Sequence, residues 1–294
     1  MKSARFRLRP LAPWATPWQA DTLFGALAWE LARMAGEAAL SRLLQRFRQG
    51  PPPFLLSDAF PADLLPRPLC AQPPQWDGAC LLTREQFVAI RHGESYPLEL
   101  PLQEWFRLLR PLRAMLPRDG AEPLTFQTEE FTWRPEVPEG DRFLSLYVRA
   151  DEEWLEKLAA LLGSLGRSGF GQRSAIGRGA FQLLGGAELC DWLEPLPFEN
   201  AFVSLSHFVP DDGDPAEGWW STLVKYPKMG LERGASAAPF KGCLVLLRPG
   251  SCFRPAGRPR RWYGCLLTGL SPAFPDAIHY ALAYAVGIRW DLPR

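Results

Sequence analysis

Hydrophobic and polar positions divide the chain into strictly alternating stretches and stretches of helical period. Residues 4–9 (ARFRLR) alternate, which predicts a strand with Phe6 and Leu8 facing a core and Arg5, Arg7 and Arg9 sharing the other face. Pro10, Pro13 and Pro17 then exclude regular structure over 10–20, leaving a rigid loop that carries Trp14 and Trp18. Asp21 or Thr22 suits the N-cap of a helix in which Leu23, Phe24, Leu27, Ala28, Leu31 and Met34 recur at helical spacing. Gly25, early in that helix, leaves room for another backbone. The helix ends or bends at Gly36, and residues 37–49 continue as a shorter amphipathic helix bearing Arg42, Arg46 and Arg48. Residues 54–60 predict a strand, and the proline-rich remainder to residue 80 a rigid loop. Residues 81–116 read as mostly helical, in one piece around Phe87 and Ile90 and a second holding Trp105, Phe106, Leu108, Leu109, Leu112 and Met115.

Residues 117–142 lack a compact core pattern and are flanked by Asp119-Gly120 and Glu139-Gly140, which fits a projecting hairpin. A strand follows over 143–149, with Leu144, Leu146 and Val148 on one face. Asp151 caps the next helix, Glu152 and Glu153 sit in its positive first turn, and Trp154, Leu155, Leu158, Leu161, Leu162 and Leu165 form its apolar stripe. Gly163 and Gly166 weaken and end that helix, a glycine-rich loop follows, and 180–184 is a short strand. The order fits a ferredoxin-like β-α-β-β-α-β unit with insertions, a common base for RNA binding. Beyond residue 185 the strands at 201–208, 219–226, 240–248, 261–268 and 279–286 have few helices among them. The expected fold is α+β: two packed ferredoxin-like (RRM-related) domains, 1–184 with helical and hairpin insertions and 185–294 as a degenerate, strand-rich second unit.

The glycine loop carries the chemistry. Gly169, Gly171, Gly177 and Gly179 are interleaved with Arg167, Arg173, Arg178, Ser168 and Ser174. Glycine lets backbone and its N–H groups approach a ligand closely, and arginine forks match phosphate oxygens. No Gly-Lys-Ser/Thr follows, so this is not a Walker loop, and its order of helix, glycines, strand is the reverse of a dinucleotide fingerprint. What remains is a surface for a phosphate chain, either of a nucleotide or of a polymer, against the plainer reading of a tight turn with solvated arginines. The start of the helix after Pro17 is a second place for a phosphate.

Composition narrows the class. The chain has 294 residues, is 47% hydrophobic and carries a net charge of +1, so it is no basic tail. Arginine far outnumbers lysine, and the densest basic clusters lie in loops 226–239 and 254–261. No run of 18 apolar residues exists and no apolar signal region follows MKSARFRLRP, so a cytoplasmic protein without a membrane span is expected. The cysteines at 70, 80, 190, 243, 252 and 265 form no C-x-x-C pair and read as buried thiols. His92, His207 and His279 are far apart, so neither a metal nor another cofactor is expected.

Two stretches, RLRPLAPWATPWQADTLFGALAWELA (7–32) and SGFGQRSAIGRGAFQL (168–183), resemble in this order the RAMP-type subunit of type III-A (Csm) CRISPR effector complexes, the Cas5-like group that holds the 5′ tag of the guide RNA. The closing YALAYAVGI (280–288) is similar to that family's last strand. The resemblance implies a non-catalytic scaffold that binds the repeat-derived 5′ tag of crRNA and docks to the large polymerase/cyclase-like subunit and to the repeated backbone subunit, meeting target RNA only indirectly. It implies that Gly169, Gly171, Ser174, Gly177 and Gly179 line the tag, with Arg173 and Arg178 on phosphates, Arg167 and Ser168 beside them, and Thr16, Gln19, Asp21 and Thr22 near the same RNA. It also implies a thumb-like hairpin, best matched by 118–142, in which Phe131 or Trp133 stacks on a base, although Glu122, Glu129, Glu130 and Glu136 make that segment acidic.

Two other readings compete. A crRNA-processing, metal-independent endoribonuclease of the same superfamily would need a general base, for which His92 and His207 are the candidates. A pure protein-interaction subunit would use Trp14, Trp18, Trp219 and Trp220 as anchors.

Overall fold

The alternating residues at the start form β1 (Lys2–Pro10), an interior strand of a four-stranded antiparallel sheet. The computed structural model describes residues 1–71, 81–94, 104–115, 122–230, 236 and 238–290. In chain order, β1 is followed by α1 (Ala20–Ala35), α2 (Glu37–Gln49) and β2 (Phe54–Pro61). Then come the two-residue strands β3 (Leu65–Pro66) and β4 (Leu81–Leu82), which pair with each other, and α3 (Arg84–Arg91). An insert contributes β5 (Phe106–Leu109), β6 (Leu112–Met115), β7 (Leu124–Gln127) and β8 (Glu130–Trp133). The chain then returns to the first sheet with β9 (Leu144–Ala150), α4 (Glu152–Ser168) and β10 (Phe181–Leu189). That sheet runs β10-β1-β9-β2, and every neighbouring pair is antiparallel. Phe6 and Leu8 are buried with Leu146 and Val148, with the apolar stripe of α4 and with that of α1 apart from Met34, which is exposed in the last turn of α1.

Helix α4 shows both a success and a failure of local reading. Asp151 accepts the Trp154 N–H at 3.0 Å, the expected cap. Gly163 and Gly166, however, do not end the helix, which runs to Ser168 with Gly169 at its C-cap. A Cβ on Gly166 would stand 2.3 Å from the Phe181 carbonyl oxygen, so this glycine is there to let β10 close against the helix. Gly25 has no neighbour within 4 Å of a built Cβ, so no backbone uses the room it leaves.

The helix expected over 81–116 is corrected by the structure. Among its described residues only Arg84–Arg91 is helical, and 106–115 of the second piece forms β5 and β6. Pro111 lies in the middle of that piece, where it would remove a helical hydrogen bond and push Arg110 toward extended backbone. The hairpin is correspondingly longer than 118–142. β5 pairs with β8 (Phe106 opposite Trp133) and β6 with β7 (Met115 opposite Leu124), so 106–115 and 124–133 form one ribbon in one register, interrupted at Arg110-Pro111. Residues 118–121 lie outside the described residues.

The second half supplies β11 (Ala201–Ser204), β12 (Gly218–Trp219), β13 (Thr222–Lys225), β14 (Leu244–Leu247), β15 (Cys252–Phe253), β16 (Trp262–Leu267) and β17 (His279–Ile288). Five of them form an antiparallel sheet, β12-β15-β11-β17-β16, while β13 and β14 make a separate ribbon. No α-helix follows Ser168 among the described residues. The sheet is instead covered by the first half: β17 packs on α1 and β2, Tyr280 stacks on Phe24 at 4.8 Å, and its hydroxyl accepts the Leu56 N–H at 3.0 Å. A single apolar core thus includes residues of both halves.

Two fully buried arginines cross the same junction. Arg91 Nε donates to the Gly287 carbonyl at 2.8 Å, and its other nitrogens reach the carbonyls of Trp192 and Glu194. Arg149 Nη1 donates to the carbonyls of Arg261 and Ala285 at 2.8 and 2.9 Å. Among the cysteines, Cys190 and Cys252 are buried as expected, but Cys243 is exposed because it lies in the loop before β14 and not in the strand; Cys80 lies outside the described residues.

Candidate nucleic-acid interface

The glycine loop owes its shape to five positive-φ residues between Gly169 and Gly179: Gly169, Gly171, Arg173, Gly177 and Gly179. Two of these glycines are required by close approach. A Cβ on Gly171 would fall 2.4 Å from Thr16 Oγ1, and one on Gly179 2.0 Å from the Phe170 carbonyl oxygen. The loop is stitched to the N-terminal tryptophan loop: Gln172 N–H donates to Thr16 Oγ1 at 2.8 Å and Gly179 N–H to the Pro13 carbonyl at 3.0 Å. Phe170 is buried and stacks on Trp18 at 4.6 Å. Arg167 and Ser168 lie in the last turn of α4, where a cation suits the negative end of the helix dipole. Ser174 opens a single 3-10 turn that closes at Gly177. The structure thus brings Thr16 and the whole loop together.

The insert ribbon joins them. Trp14 and Phe131 exchange backbone hydrogen bonds of 3.0 and 2.7 Å, which fastens β8 to the tryptophan loop. Trp133 is buried, 6.0 Å from the Trp14 ring and 4.9 Å from Phe106, so it is a wall of this junction and is not presented for stacking. Trp14 and Trp18 are buried too, and the expectation that they anchor a partner is corrected: their rings are spent on holding the glycine loop, ribbon and β10 together. From β8, Glu130 reaches under the glycine loop. Its carboxylate lies 2.6 Å from Arg113 Nη2, 2.8 Å from Arg178 Nε and 3.6 Å from Arg173 Nη1. Beside this cluster an open cleft of about 730 Å³ is lined by Arg9, Trp14, Arg107, Trp133 and Arg142.

No family model matches the chain. The CRISPR system Cms protein Csm4 of Thermococcus onnurineus (strain NA1) is 26% identical over 244 residues, spanning 76% of this chain and 82% of that protein. A chain of the solved Csm1-Csm4 cassette with AMPPNP superposes with a TM-score of 0.64 over 100% of both chains at 18% identity. One from the Csm3-Csm4 subcomplex of the type III-A interference complex gives 0.61 over 97% of this chain and 99% of that one at 11% identity. The chain is similar in sequence to a Csm4 protein and shares the fold of chains in Csm4-containing structures. The solved structures establish a shared fold, and the sequence relative is a Csm4 protein.

The remaining expected contacts of this chain separate from the loop. Gln19, Asp21 and Thr22 sit at the start of α1, but neither Asp21 nor Thr22 caps it: Gln19 occupies the N-cap, and the Ala20 N–H is taken by Asp58 of β2 at 2.9 Å. Lys225 Nζ reaches Gln19 Oε1 at 2.6 Å, Asp21 Oδ2 at 2.6 Å and Thr22 Oγ1 at 3.1 Å, so all three are engaged within the protein. Burial pushes the Asp21 carboxyl up, but the facing Lys225 and His279 bring it below its ordinary value. His279, with Nε2 3.4 Å from Asp21 Oδ2, is held by burial at about 4. His207 donates from Nδ1 to Asp58 Oδ2 at 2.5 Å, and its Nε2 lies 3.5 Å from Gln19 Nε2.

This buried cluster gives a pH dependence. Between about pH 4 and the ordinary imidazole value of 6.5, the unfolded chain binds a proton at His279 that the folded chain refuses. Stability is therefore complete above pH 6.5 and falls as pH drops through that window. Urea midpoints at pH 4.5 and 7 should differ in the native chain, and His279→Gln should flatten that difference.

The basic loop over 254–261 is mostly self-satisfied. Arg258 pairs with Glu199 at 3.6 Å, Arg261 with Glu194 at 2.6 Å, and Arg260 with Asp214. In β1, Arg5 pairs with Asp63 and Glu188, whereas Arg9 is exposed at the cleft. Loop 226–239 lies partly outside the described residues. Arg113 and Glu130 are the functional candidates that sequence reasoning missed, since the acidity of the hairpin counted against RNA. The only signal was that Arg113 and Glu130 occupy opposite strands of a ribbon, which is visible only once the ribbon is known. Trp219 and Trp220 are exposed, as an interface anchor requires. Among the described residues no group of three or more His, Cys, Asp or Glu side chains is placed to hold a metal, and no helix is long and apolar enough to cross a membrane.

Proposed function

We propose that this chain is a non-catalytic RNA-binding scaffold subunit of a type III-A CRISPR effector. It holds the repeat-derived 5′ tag of crRNA and bridges the large subunit to the backbone subunits. The observation that carries the reading is the convergence of three segments distant in sequence on one surface: the tryptophan loop, the glycine loop and the insert ribbon, with Arg113, Arg173 and Arg178 at their meeting point. The similarity to chains of the Csm1-Csm4 and Csm3-Csm4 structures supports the bridging role. The first sheet with α1 and α4 serves as a ferredoxin-like platform, and the region after β10 as its degenerate second unit, since 185–189 complete the edge strand of the first sheet. The insert ribbon takes the place of the thumb, with half-buried Phe131 near its base.

The arrangement of His207 favours scaffold over nuclease. A general base needs a nitrogen open to the substrate. Here Nδ1 is committed to Asp58, and the side chain is only 10% exposed. His92 lies at the end of α3, against Phe198 and not among the loop residues.

The test is recovery of the tagged chain from its host with sequencing of bound RNA, followed by binding of the tag RNA to the purified chain. We expect crRNAs that share one 5′ tag. Arg173→Ala with Arg178→Ala should weaken tag binding and lower the salt slope by about 0.7 for each phosphate no longer neutralised. Binding that is indifferent to both arginines would refute the loop as the RNA site.

A further inference from the structure

We propose that Glu130 is a positioning residue for RNA phosphate: from behind the glycine loop it holds Arg113, Arg173 and Arg178 as one preorganised cradle. The inference rests on the RNA-binding reading above. Its geometry has a front and a back. The Glu130 side chain is 1% exposed, whereas Arg173 and Arg178 are each 27% exposed and Arg113 29%. The carboxylate is sealed under the loop, and the guanidinium groups stand between it and solvent. A guanidinium has five N–H donors in a fixed fork, so one edge can serve a carboxylate while another serves a phosphate.

The charges are unequal. Three arginines face one carboxylate, a local excess of two positive charges (3 − 1), although the whole chain carries only +1. A residue meant to cancel the loop's charge would need to match it. Glu130 does not, but it is placed to hold three mutually repelling, rotamer-rich side chains in one place. Positioning them in advance removes ordering entropy from the binding step.

Two backbone features point the same way. Arg173 has φ +66°, a left-handed conformation in which glycine would sit without strain. Four glycines nearby show how freely this loop uses that residue, so the strained position keeps a guanidinium. The backbone beside Glu130 is also fixed, because Phe131 exchanges two hydrogen bonds with Trp14. The ribbon, the tryptophan loop and the arginine cradle therefore form one rigid unit.

The sign of a single substitution separates positioning from neutralisation. Glu130→Gln removes a negative charge next to the RNA site. If the carboxylate merely screened the loop, binding would tighten and the salt slope would steepen. If it positions the arginines, binding weakens despite the added positive charge. The experiment is anisotropy of a fluorescent single-stranded RNA carrying the host's crRNA 5′ tag, bound to the full chain at several salt concentrations. We expect E130Q to weaken binding about tenfold, the order by which outer supports of binding groups act elsewhere, with a shallower salt slope and substantial recovery in E130D. Unchanged or tighter binding by E130Q, while R173A/R178A binds weakly, overturns the proposal and leaves the RNA reading standing. Wild-type binding insensitive to R173A/R178A removes both.

If E130Q does not fold, the unaltered chain still decides. The arginine Nε–Hε NMR signals, assigned with Arg173→Lys and Arg178→Lys, should be dispersed and protected before RNA is added. Averaged, solvent-like signals for both arginines in the free chain would overturn the proposal.

Discussion

Gly179→Ala should destabilise the chain by on the order of 3 kcal/mol and abolish tag RNA binding. Gly179 has φ +68°, and its Cβ would stand 2.0 Å from the Phe170 carbonyl oxygen and 3.1 Å from the Phe170 nitrogen. These are backbone atoms and cannot swing aside. Relief would require moving Phe170, which donates to the Gly179 carbonyl at 2.9 Å and whose buried ring stacks on Trp18. It would also break the Gly179 N–H bond to Pro13, one of the ties between the glycine loop and the tryptophan loop. Gly177 is the control. Its φ is +79°, but nothing lies within 4 Å of a built Cβ, so Gly177→Ala meets only the left-handed penalty of roughly 1 kcal/mol. Urea unfolding should rank the two variants in that order. Equal losses would mean that the close approach at Gly179 relaxes freely and that the loop is less tightly packed than its contacts indicate.

What could be read from sequence was local. β1 announces itself by alternation, α4 by the Asp151 cap and a leucine stripe, and the glycine loop by composition, because each signal lies within one turn or one strand of its effect. What could not be read depends on partners far along the chain. Asp58 serves the start of α1 from β2, a role for which Asp21 and Thr22 stand nearer in sequence. Gly166 looks like a helix breaker until β10 is laid against it. The second apolar piece around Trp105 reads as helix until Pro111 and the pairing with 124–133 turn it into a ribbon. Glu130 belongs to the same class: an acidic residue in a hairpin argues against RNA, but the same residue beneath three arginines argues for it.

The distribution of arginine reconciles a net charge of +1 with the phosphate site proposed above. Several of the basic positions seen in sequence are consumed by structure. Arg5 is paired on β1, Arg258, Arg260 and Arg261 are paired in the second half, and Arg91 and Arg149 are buried. Arg9, Arg107 and the three-arginine cluster face solvent around the glycine loop and the neighbouring cleft, while Arg42, Arg46 and Arg48 form a separate exposed row on α2. Affinity for a polyanion follows from this local excess and not from the total, since Debye screening limits each phosphate to charges within about 8–10 Å.

Arg149→Ala should be strongly destabilising, by about 2–4 kcal/mol, through carbonyls left without a donor and the cavity opened. Arg149 is 1% exposed, and burial pushes its guanidinium below the ordinary value. It is retained because its fork is well used. Nη1 serves the carbonyls of Arg261 and Ala285, Nε reaches Ser3 Oγ at 3.2 Å, and the guanidinium lies 4.4 Å from the centre of the Tyr284 ring. Truncation leaves two carbonyls without that donor and a cavity beside β17, the strand that packs the second half on α1 and β2. Arg149→Lys keeps the charge but has no planar fork, so it should recover only part of the stability. Arg149→Met fills most of the volume without a donor, and the gap between Met and Ala measures packing apart from hydrogen bonding. Urea unfolding of the four proteins should rank them native, Lys, Met, Ala. A destabilisation below about 1 kcal/mol for Arg149→Ala would place it in the range of a surface substitution and show that the junction is held by its apolar residues alone.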